Sequence, residues 1–488
     1  MRAVFVDCLW TMDVVMIVYM LGNNLTLALI AFVGWRASED YVRRRALRNY
    51  HALSRSPLAR PISIIAPAYN EELSIVDSVK ALLACRYAEF EVLVVNDGST
   101  DSTMALLQHT FDLVEIDRVP RARMQTEPVH AIYTCPWDMR LTVIVKDNGG
   151  KADALNAGIA YAQYPLFCAI DADTMLDPRA LARLAWEFQA HPDSVAAGGI
   201  VRVVNGSTVA GGQLVDVETP SALLLNIQIL EYLRAFLLGR IAWSRMGMLL
   251  IISGAFGLFS REAVVEVGGY DPTSIGEDAE LVLRLYRHRL EHGRPCRVAF
   301  FPDPICWTEA PSNWRSLIRQ RDRWQRGLIQ MMFRHRRMML NPRYGRIGLL
   351  ALPYFLIFEM LGPNVEVLGY GAFITSLALG IAPLSYTLAF ITLATLFGLL
   401  FSLSSLLVEE RSYQRYPAWR DLRRLAVSAV AENAGYRQLL ALVRVRSWWT
   451  LVRKPGWGRM DRSGFGSPPP LLPPAVLPPP VLPEPETP

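Results

Sequence analysis

None of the six cysteines, Cys8, Cys85, Cys135, Cys168, Cys296 and Cys306, stands in a Cys-x-x-Cys pair. That absence removes the spacings of zinc ribbons and dithiol redox sites. Several of these cysteines lie in apolar or strand-like stretches, where reduced, buried thiols are expected. There is no internal repeat, which sets solenoids and propellers aside. There is no Walker loop either, because Asn148-Gly149-Gly150-Lys151 runs on into Ala152 without the Gly-Lys-Ser/Thr ending. The first apolar run carries no small-residue cleavage site, so it reads as an anchor and not as a removed signal peptide. Net charge is only +5 over 488 residues, so bulk charge says little about partners.

What is present is a hydrophobic share of 52% that is unevenly distributed, gathering near residues 9–35 and again over 347–408. Residues 13–35 are interrupted by Asn23 and Asn24 alone, long enough to cross a hydrocarbon core of ~30 Å. Lys and Arg crowd the borders of the apolar runs, at Arg36, Arg43, Arg44, Arg45 and Arg48 and from Arg315 to Arg337. This placement fits a cytoplasmic membrane surface and not a nucleic-acid partner. The positive-inside rule then puts the N-terminus outside and the chain after Arg36 inside. In the second apolar region, Gly362-Pro363 separates an interfacial segment at 349–361 from a span at 363–380, and 384–408 is a further span. The stretch 425–450 carries Glu432, Asn433, Arg437 and Gln438 mid-segment. It reads as an interfacial or re-entrant helix pair hinged near Gly435.

From Pro61 the pattern changes. Strands are expected at 62–67, 90–97, 141–146 and 165–173, with amphipathic helices at 72–84, 101–110 and 151–163 between them. Strand–helix alternation implies parallel strands joined by right-handed crossovers. Such sheets bind ligands at the carboxyl ends of their strands. Three polar clusters fall at those ends: Pro67-Ala68-Tyr69-Asn70-Glu71, Asn96-Asp97-Gly98-Ser99, and Asp171-Ala172-Asp173. The segment 115–140, rich in Arg and Pro, reads as an insertion.

Each cluster suggests chemistry. Asp171 and Asp173, spaced i and i+2 where a strand runs out, could together face Mg²⁺ or Mn²⁺, and the cation could hold a diphosphate. Asp97 could accept hydrogen bonds from a base or ribose, and a capped turn is the alternative. Tyr69 could stack on a nucleobase with Glu71 on its edge, and a plain β-turn is the alternative. Lys151 enters a helix behind two glycines, an anion-binding arrangement. Glu277 and Asp278 precede a helix, where acids also favour the helix dipole; Asp278 is the candidate general base if the fold brings it opposite the Asp pair. In Gln320-Arg321-Asp322-Arg323-Trp324, an Arg can stabilise a departing diphosphate and an indole can stack on a sugar.

Taken in order, these residues resemble the membrane-integrated, processive family 2 glycosyltransferases, the group of cellulose, hyaluronan, chitin and poly-N-acetylglucosamine synthases. The resemblance rests on Asp97, Asp171 with Asp173, Glu277 with Asp278, and Gln320, Arg323 and Trp324, together with Tyr-Asn-Glu at 69–71 and Gly-Gly-Lys at 149–151. It covers roughly residues 60–335. It implies an α/β GT-A domain, nucleotide-sugar-binding and Rossmann-like, inserted between transmembrane helices. It further implies a nucleoside diphosphate sugar donor (usually UDP), a divalent metal, and inversion to a β-linked polysaccharide that leaves through the membrane. Glu71 and Asp97 would hold the nucleoside, Asp173 the metal, and Asp278 would be the base. Gln320, Arg323 and Trp324 would line diphosphate and acceptor. Asn96 and Gly276 depart from the pattern of many members, which bears on the sugar more than on the chemistry. Transfer of one sugar to a lipid carrier or envelope acceptor, and a catalytically silent receptor or scaffold, are the competing readings.

The expected organisation is an anchor (1–36), a basic linker (37–59), the glycosyltransferase domain ending in interfacial helices (60–335), an interfacial segment with membrane helices (346–408), cytoplasmic or interfacial helices (409–466) and a disordered Pro-rich tail (467–488). The expected partners are a nucleotide sugar, a polysaccharide or lipid-linked acceptor, membrane lipids and an accessory secretion subunit, with no nucleic acid. The expected location is the inner cell membrane with the catalytic domain in the cytoplasm.

Overall fold

The structure is a computed structural model that describes residues 2–45, 47–210, 213–416 and 418–451. The Pro-rich tail and the end of the 409–466 segment lie outside the described residues.

Runs of Ile, Val and Ala build the sheet. Its first strands are β1 (Ile62–Ala68), β2 (Phe90–Asp97), β3 (Val114–Glu115), β4 (Val129–Cys135), β5 (Asp138–Lys146) and β6 (Leu166–Ile170). Then come β7 (Met175–Leu176), β8 (Ser194–Val203), β9 (Thr208–Ala210), β10 (Gln213–Asp216), β11 (Phe256–Ser260) and β12 (Arg297–Thr308). Ten of them form one sheet in the order β3-β4-β5-β2-β1-β6-β11-β8-β12-β7, and β9 with β10 makes a separate hairpin. β1 and β2 are buried at every position, the mark of strands covered on both faces.

The parallel expectation holds for β5-β2-β1-β6. Beyond β6 it does not, because β11 pairs antiparallel with both β6 and β8. The chain reaches β11 from the helical stretch 223–245 through the loop 246–255 and so enters the sheet at the end where β6 leaves it. The Arg- and Pro-rich segment 115–140 is no detached insertion either. Its second half forms β4, which pairs antiparallel with β5 and widens the sheet. The fourth expected strand stops at Ile170, and the acids that follow sit in a turn closed by Thr174 N–H to Asp171 O at 3.0 Å.

The helices that frame the site and the apolar spans are α1 (Arg2–Arg45), α2 (Ile75–Leu83), α3 (Thr103–Phe111), α4 (Lys151–Tyr161), α5 (Glu277–Glu291), α6 (Trp314–Arg334), α7 (Ile347–Ala378), α8 (Leu384–Ser412), α9 (Trp419–Ala431) and α10 (Arg437–Thr450). Among the described residues three helices are long and apolar enough to cross a membrane: Trp10–Arg45 of α1, α7 and α8. Gly362-Pro363 does not end a helix, since the helical path runs from Ile347 to Ala378 with Pro363 in the first turn of its second half. Proline needs no N–H there. Two polar contacts join neighbouring spans: Ser376 Oγ donates to Asp13 at 2.9 Å and Asn24 Nδ2 to Leu393 O at 3.2 Å. Between α9 and α10 the backbone breaks at Ala434 and at Gly435, whose φ of +98° favours glycine. α10 then lies along α6, where Ser447 and Thr450 donate to Asp322 at 2.9 and 2.8 Å.

Candidate active site

The parallel half of the sheet delivers its polar clusters to one edge. After β1, Asn70 takes a left-handed conformation (φ 56°), and its N–H donates to Ser99 Oγ at 3.0 Å. Thr100 N–H answers to Asn70 Oδ1 at 2.8 Å. Glu71 is buried, accepts from Ser74 Oγ at 3.0 Å, and donates its N–H to Thr103 Oγ1 at 2.8 Å. The loops after β1 and β2 are therefore one hydrogen-bonded unit, with half-buried Tyr69 at its lip.

Asp97 is fully buried at the end of β2. It accepts from Lys146 Nζ at 2.7 Å, Gly149 N–H at 3.1 Å and Gly150 N–H at 2.8 Å. Both oxygens thus hold the Gly-Gly-Lys loop against the sheet edge. That loop opens α4, whose first residue is Lys151.

Lys151 Nζ is the hub of the site. It pairs with Asp171, lies 3.8 Å from Glu277, and donates to Gly254 O at 3.2 Å. Burial alone would lower its pKa, but the charges of Asp171 and Glu277 outweigh that and hold it well above its ordinary value. Gly254 N–H in turn donates to Asp278 Oδ2 at 2.9 Å. A Cβ on Gly254 would lie 2.9 Å from Lys151 Nζ and 3.5 Å from Asp278 Oδ2, so only glycine lets the two halves of the site approach this closely. Burial, with Asp278 beside it, raises the pKa of Glu277 against the pull of Lys151 and Arg323. Burial, with Asp171 beside it, pushes the carboxyl of Asp173 up to about 7.

Helix α6 closes the site. Gln320 is buried with its Oε1 unpartnered among the described residues, and Arg323 acts electrostatically on Glu277. Trp324 stands apart: it is 44% exposed, with the Arg321 guanidinium 4.3 Å over its ring. The structure therefore joins Asp171, Lys151, Glu277 and Asp278 by direct contacts or one intervening residue, adds Arg323 by charge, and leaves Trp324 at the rim.

Three positions were not legible beforehand. Gly254 bridges the site through its backbone alone, and its only trace is a glycine just before an apolar strand. Asn156 exchanges two hydrogen bonds with the backbone of Tyr270, at 2.8 and 2.7 Å, and so pins the loop that leads to Glu277. Arg240, its guanidinium 4.0 Å over the Phe236 ring, lies within electrostatic reach of Asp278, and its buried Nη1 has no hydrogen-bond partner among the described residues.

Comparison with known proteins settles the family. Residues 63–264 match the model for glycosyl transferase family 2, and residues 166–405 match the model for glycosyl transferase family group 2. Together the two matches run from β1 into α8. The chain belongs to glycosyl transferase family 2. It is 30% identical over 278 residues to the poly-beta-1,6-N-acetyl-D-glucosamine synthase of Staphylococcus aureus (strain COL), covering 56% of each protein. It is 28% identical over 280 residues to the Staphylococcus epidermidis protein of the same name, again covering 56% of each. The chain thus spans about half the length of the curated relatives it matches. Among solved structures it is similar to a mannosyltransferase of Pyrobaculum calidifontis in complex with GDP-Man and Mn²⁺, with a TM-score of 0.51 at 19% identity, over 87% of this chain and 99% of that one. This likeness shows the GT-A fold. The family 2 enzyme is thus a glycosyltransferase built on a GT-A sheet flanked by apolar helices.

Proposed function

We propose that this glycosyltransferase transfers a sugar, with inversion, from a nucleoside diphosphate sugar to a growing β-linked polysaccharide at the membrane. The carrying observation is that Asp278 and the Lys151–Asp171 pair meet across Gly254. A base for the acceptor and charges for the donor thus share one edge. UDP is the nucleotide this reading favours. Tyr69, Glu71 and Asp97 form the nucleoside end, with Asp97 also fixing the loop that presents Lys151. Arg323 and Gln320 face the diphosphate, and Trp324 at the rim suits a sugar ring of the acceptor. Polymer synthesis is favoured over single transfer by the similarity to polysaccharide synthases and by the Gln320, Arg323, Trp324 set.

Mg²⁺ or Mn²⁺ fits the residues present. No cluster of three or more His, Cys, Asp or Glu occurs among the described residues, so the protein by itself offers Asp171 and Asp173. Two carboxylates, with phosphate oxygens and water completing the shell, are a usual Mg²⁺ arrangement. Burial and the neighbouring Asp171 raise the pKa of the Asp173 carboxyl, and a divalent cation held by the two would favour their charged forms. The cation would supply charge neutralisation at the leaving diphosphate. Around it, Lys151 and Arg323 hold negative charge in place and Asp278 takes the acceptor hydroxyl proton.

The membrane is taken to be the inner cell membrane, with the catalytic domain on its cytoplasmic face, and an accessory secretion subunit belongs to the same reading. The test is to purify the protein in nanodiscs, offer a panel of nucleotide sugars with Mg²⁺ or Mn²⁺, follow nucleotide release and size the product. One sugar should turn over, EDTA should abolish turnover, and the product should be long. Turnover in excess EDTA would refute the metal, and a single-sugar product would refute polymer synthesis.

A further inference from the structure

A crevice of about 480 Å³ opens between α1 and α8 at the end nearest the catalytic domain. Its walls change character along its length. Ala31, Phe32 and Trp35 of α1, Leu407 and Val408 of α8, and Leu238 beneath them form an apolar floor. At the far end stand Glu39, Arg43, Arg411 and Ser412. The two helices run parallel, since Asn24 meets Leu393 and Ser38 meets Tyr413 at 3.2 Å each. Both therefore bring their basic ends to the same level.

Its dimensions fit one kind of occupant. From Ala31 to Arg43 the crevice follows about 18 Å of helix, and from Ser404 to Ser412 about 12 Å. A single leaflet contributes about 15 Å of hydrocarbon. The apolar floor on α1, Ala31 to Trp35, takes about 6 Å of the crevice's length, room for the headgroup-proximal part of one acyl chain, and the remainder is the polar end. Phe32 and Trp35 stand where the apolar floor gives way to the polar end, with the Arg36 guanidinium 5.5 and 5.6 Å from their ring centres. The charge there is positive and loosely held. The side chain of Arg43 is 77% exposed, and its one ion pair among the described residues is with Glu39, at 3.9 Å. Arg411 is exposed and makes no ion pair among the described residues.

We infer that this crevice binds one anionic phospholipid from the leaflet on the catalytic-domain side, its acyl chain against the exposed Phe32, Trp35 and Leu407 and its phosphate between Arg43 and Arg411. The site reaches the enzyme directly. α1 packs so closely at Gly34 that a Cβ there would strike the backbone carbonyl of Leu238, and Leu238 belongs to the helical stretch 223–245 that also carries Arg240. A lipid seated on α1 and α8 steadies α1, which at Gly34 braces the helical stretch that runs on to the loop bearing Gly254.

The inference rests on the reading that α1 and α8 cross a membrane. The experiment places the whole chain in nanodiscs of phosphatidylcholine alone or mixed with phosphatidylglycerol. Lipid retained on release into the gas phase is then counted by native mass spectrometry. Phosphatidylglycerol should be retained in preference. The R43Q/R411Q double variant should lose about 30-fold of that preference, from two arginines at the membrane surface. The R43K/R411K variant should keep it, which separates charge from misfolding. Ala31→Phe, which fills the floor, should reduce retention of both lipids. Equal retention of the two lipids by the native chain would overturn the proposal, as it would if a partner's helix were the natural occupant. So would an undiminished preference in R43Q/R411Q. Failure of the membrane reading would look different, as protein that stays soluble without detergent and does not enter discs.

Discussion

Asp278 receives Gly254 N–H on one oxygen at 2.9 Å and Ala279 N–H on the other at 2.8 Å. A residue whose only task was to favour the helix N-terminus would be worth ~0.3–1 kcal/mol and would leave catalysis alone. A general base contributes about 10²–10⁴ in rate. Asp278→Asn keeps the shape and one acceptor, so donor affinity should stay near normal while turnover falls by about two to four decades. Nucleotide affinity, melting temperature and turnover on the same variant separate the two roles, and an Asn variant with most of its turnover would shift attention to Glu277. Gly254 makes the complementary case. A Cβ there meets the flexible end of Lys151 and not backbone, so Gly254→Ala should still fold, at a cost of up to about 3–5 kcal/mol for the charges it separates. Lys151 must swing away, however, leaving Asp171 and Glu277 without their shared cation. Turnover should drop by up to about 10²-fold, the cost of a misplacement near 1 Å. Unchanged turnover would show that Lys151 is not needed where it sits.

At the level of elements, α6 and the loop before α5 act as one piece because two glycines meet. A Cβ on Gly327 would lie 3.0 Å from Gly276 N, and one on Gly276 3.4 Å from Gly327 Cα. Gly276, the position at which the sequence departs from the family pattern, is therefore where helix and loop backbones touch, one residue before Glu277. Gly327→Ala gains helix propensity of ~0.8–1 kcal/mol but pushes on backbone that has little room. The expected result is a melting temperature near that of the native enzyme with turnover reduced roughly tenfold by displaced acids. Native turnover would show that the contact carries packing only. The sequence made one side of this site readable. Ile62–Ala68 and Phe90–Asp97 are apolar runs, and polar residues stand where each run ends, so local pattern places Tyr69, Glu71, Asp97, Asp171 and Asp173. The other side depends on long-range pairing. Nothing local says that Phe256 will pair with Ile170 in antiparallel sense. The pairing nonetheless brings Gly254 to the edge, and Asn156 meets Tyr270 only once the chain has folded.

For the whole molecule, orientation follows from which end of the apolar helices the catalytic domain occupies. One end is marked by Asp13 bonded to Ser376, close to the turn before Leu384. The other is marked by Ser38 against Tyr413, by Arg45 bonded to Asp303 of β12 at 3.2 Å, and by a buried pair of Arg202 on β8 with Glu409 on α8 at 2.6 Å. The sheet is thus fastened to the end that carries Arg36, Arg43, Arg44, Arg45 and Arg411. Cationic side chains close to a span resist translocation, so this end should face the cytoplasm and the 380–383 turn the outside. Single cysteines on a cysteine-free background test it, because Pro120, Leu384 and Trp419 are all exposed in the folded chain. A membrane-impermeant maleimide applied to intact cells should label Leu384→Cys and spare Pro120→Cys and Trp419→Cys, and permeabilising the cells should open all three. Labelling of Pro120→Cys in intact cells would place the catalytic sheet outside, away from any cytoplasmic pool of nucleotide sugar. Labelling of Trp419→Cys with Pro120→Cys spared would instead require α8 to end on the far side. That arrangement contradicts the Arg202–Glu409 pair, which cannot form across a bilayer.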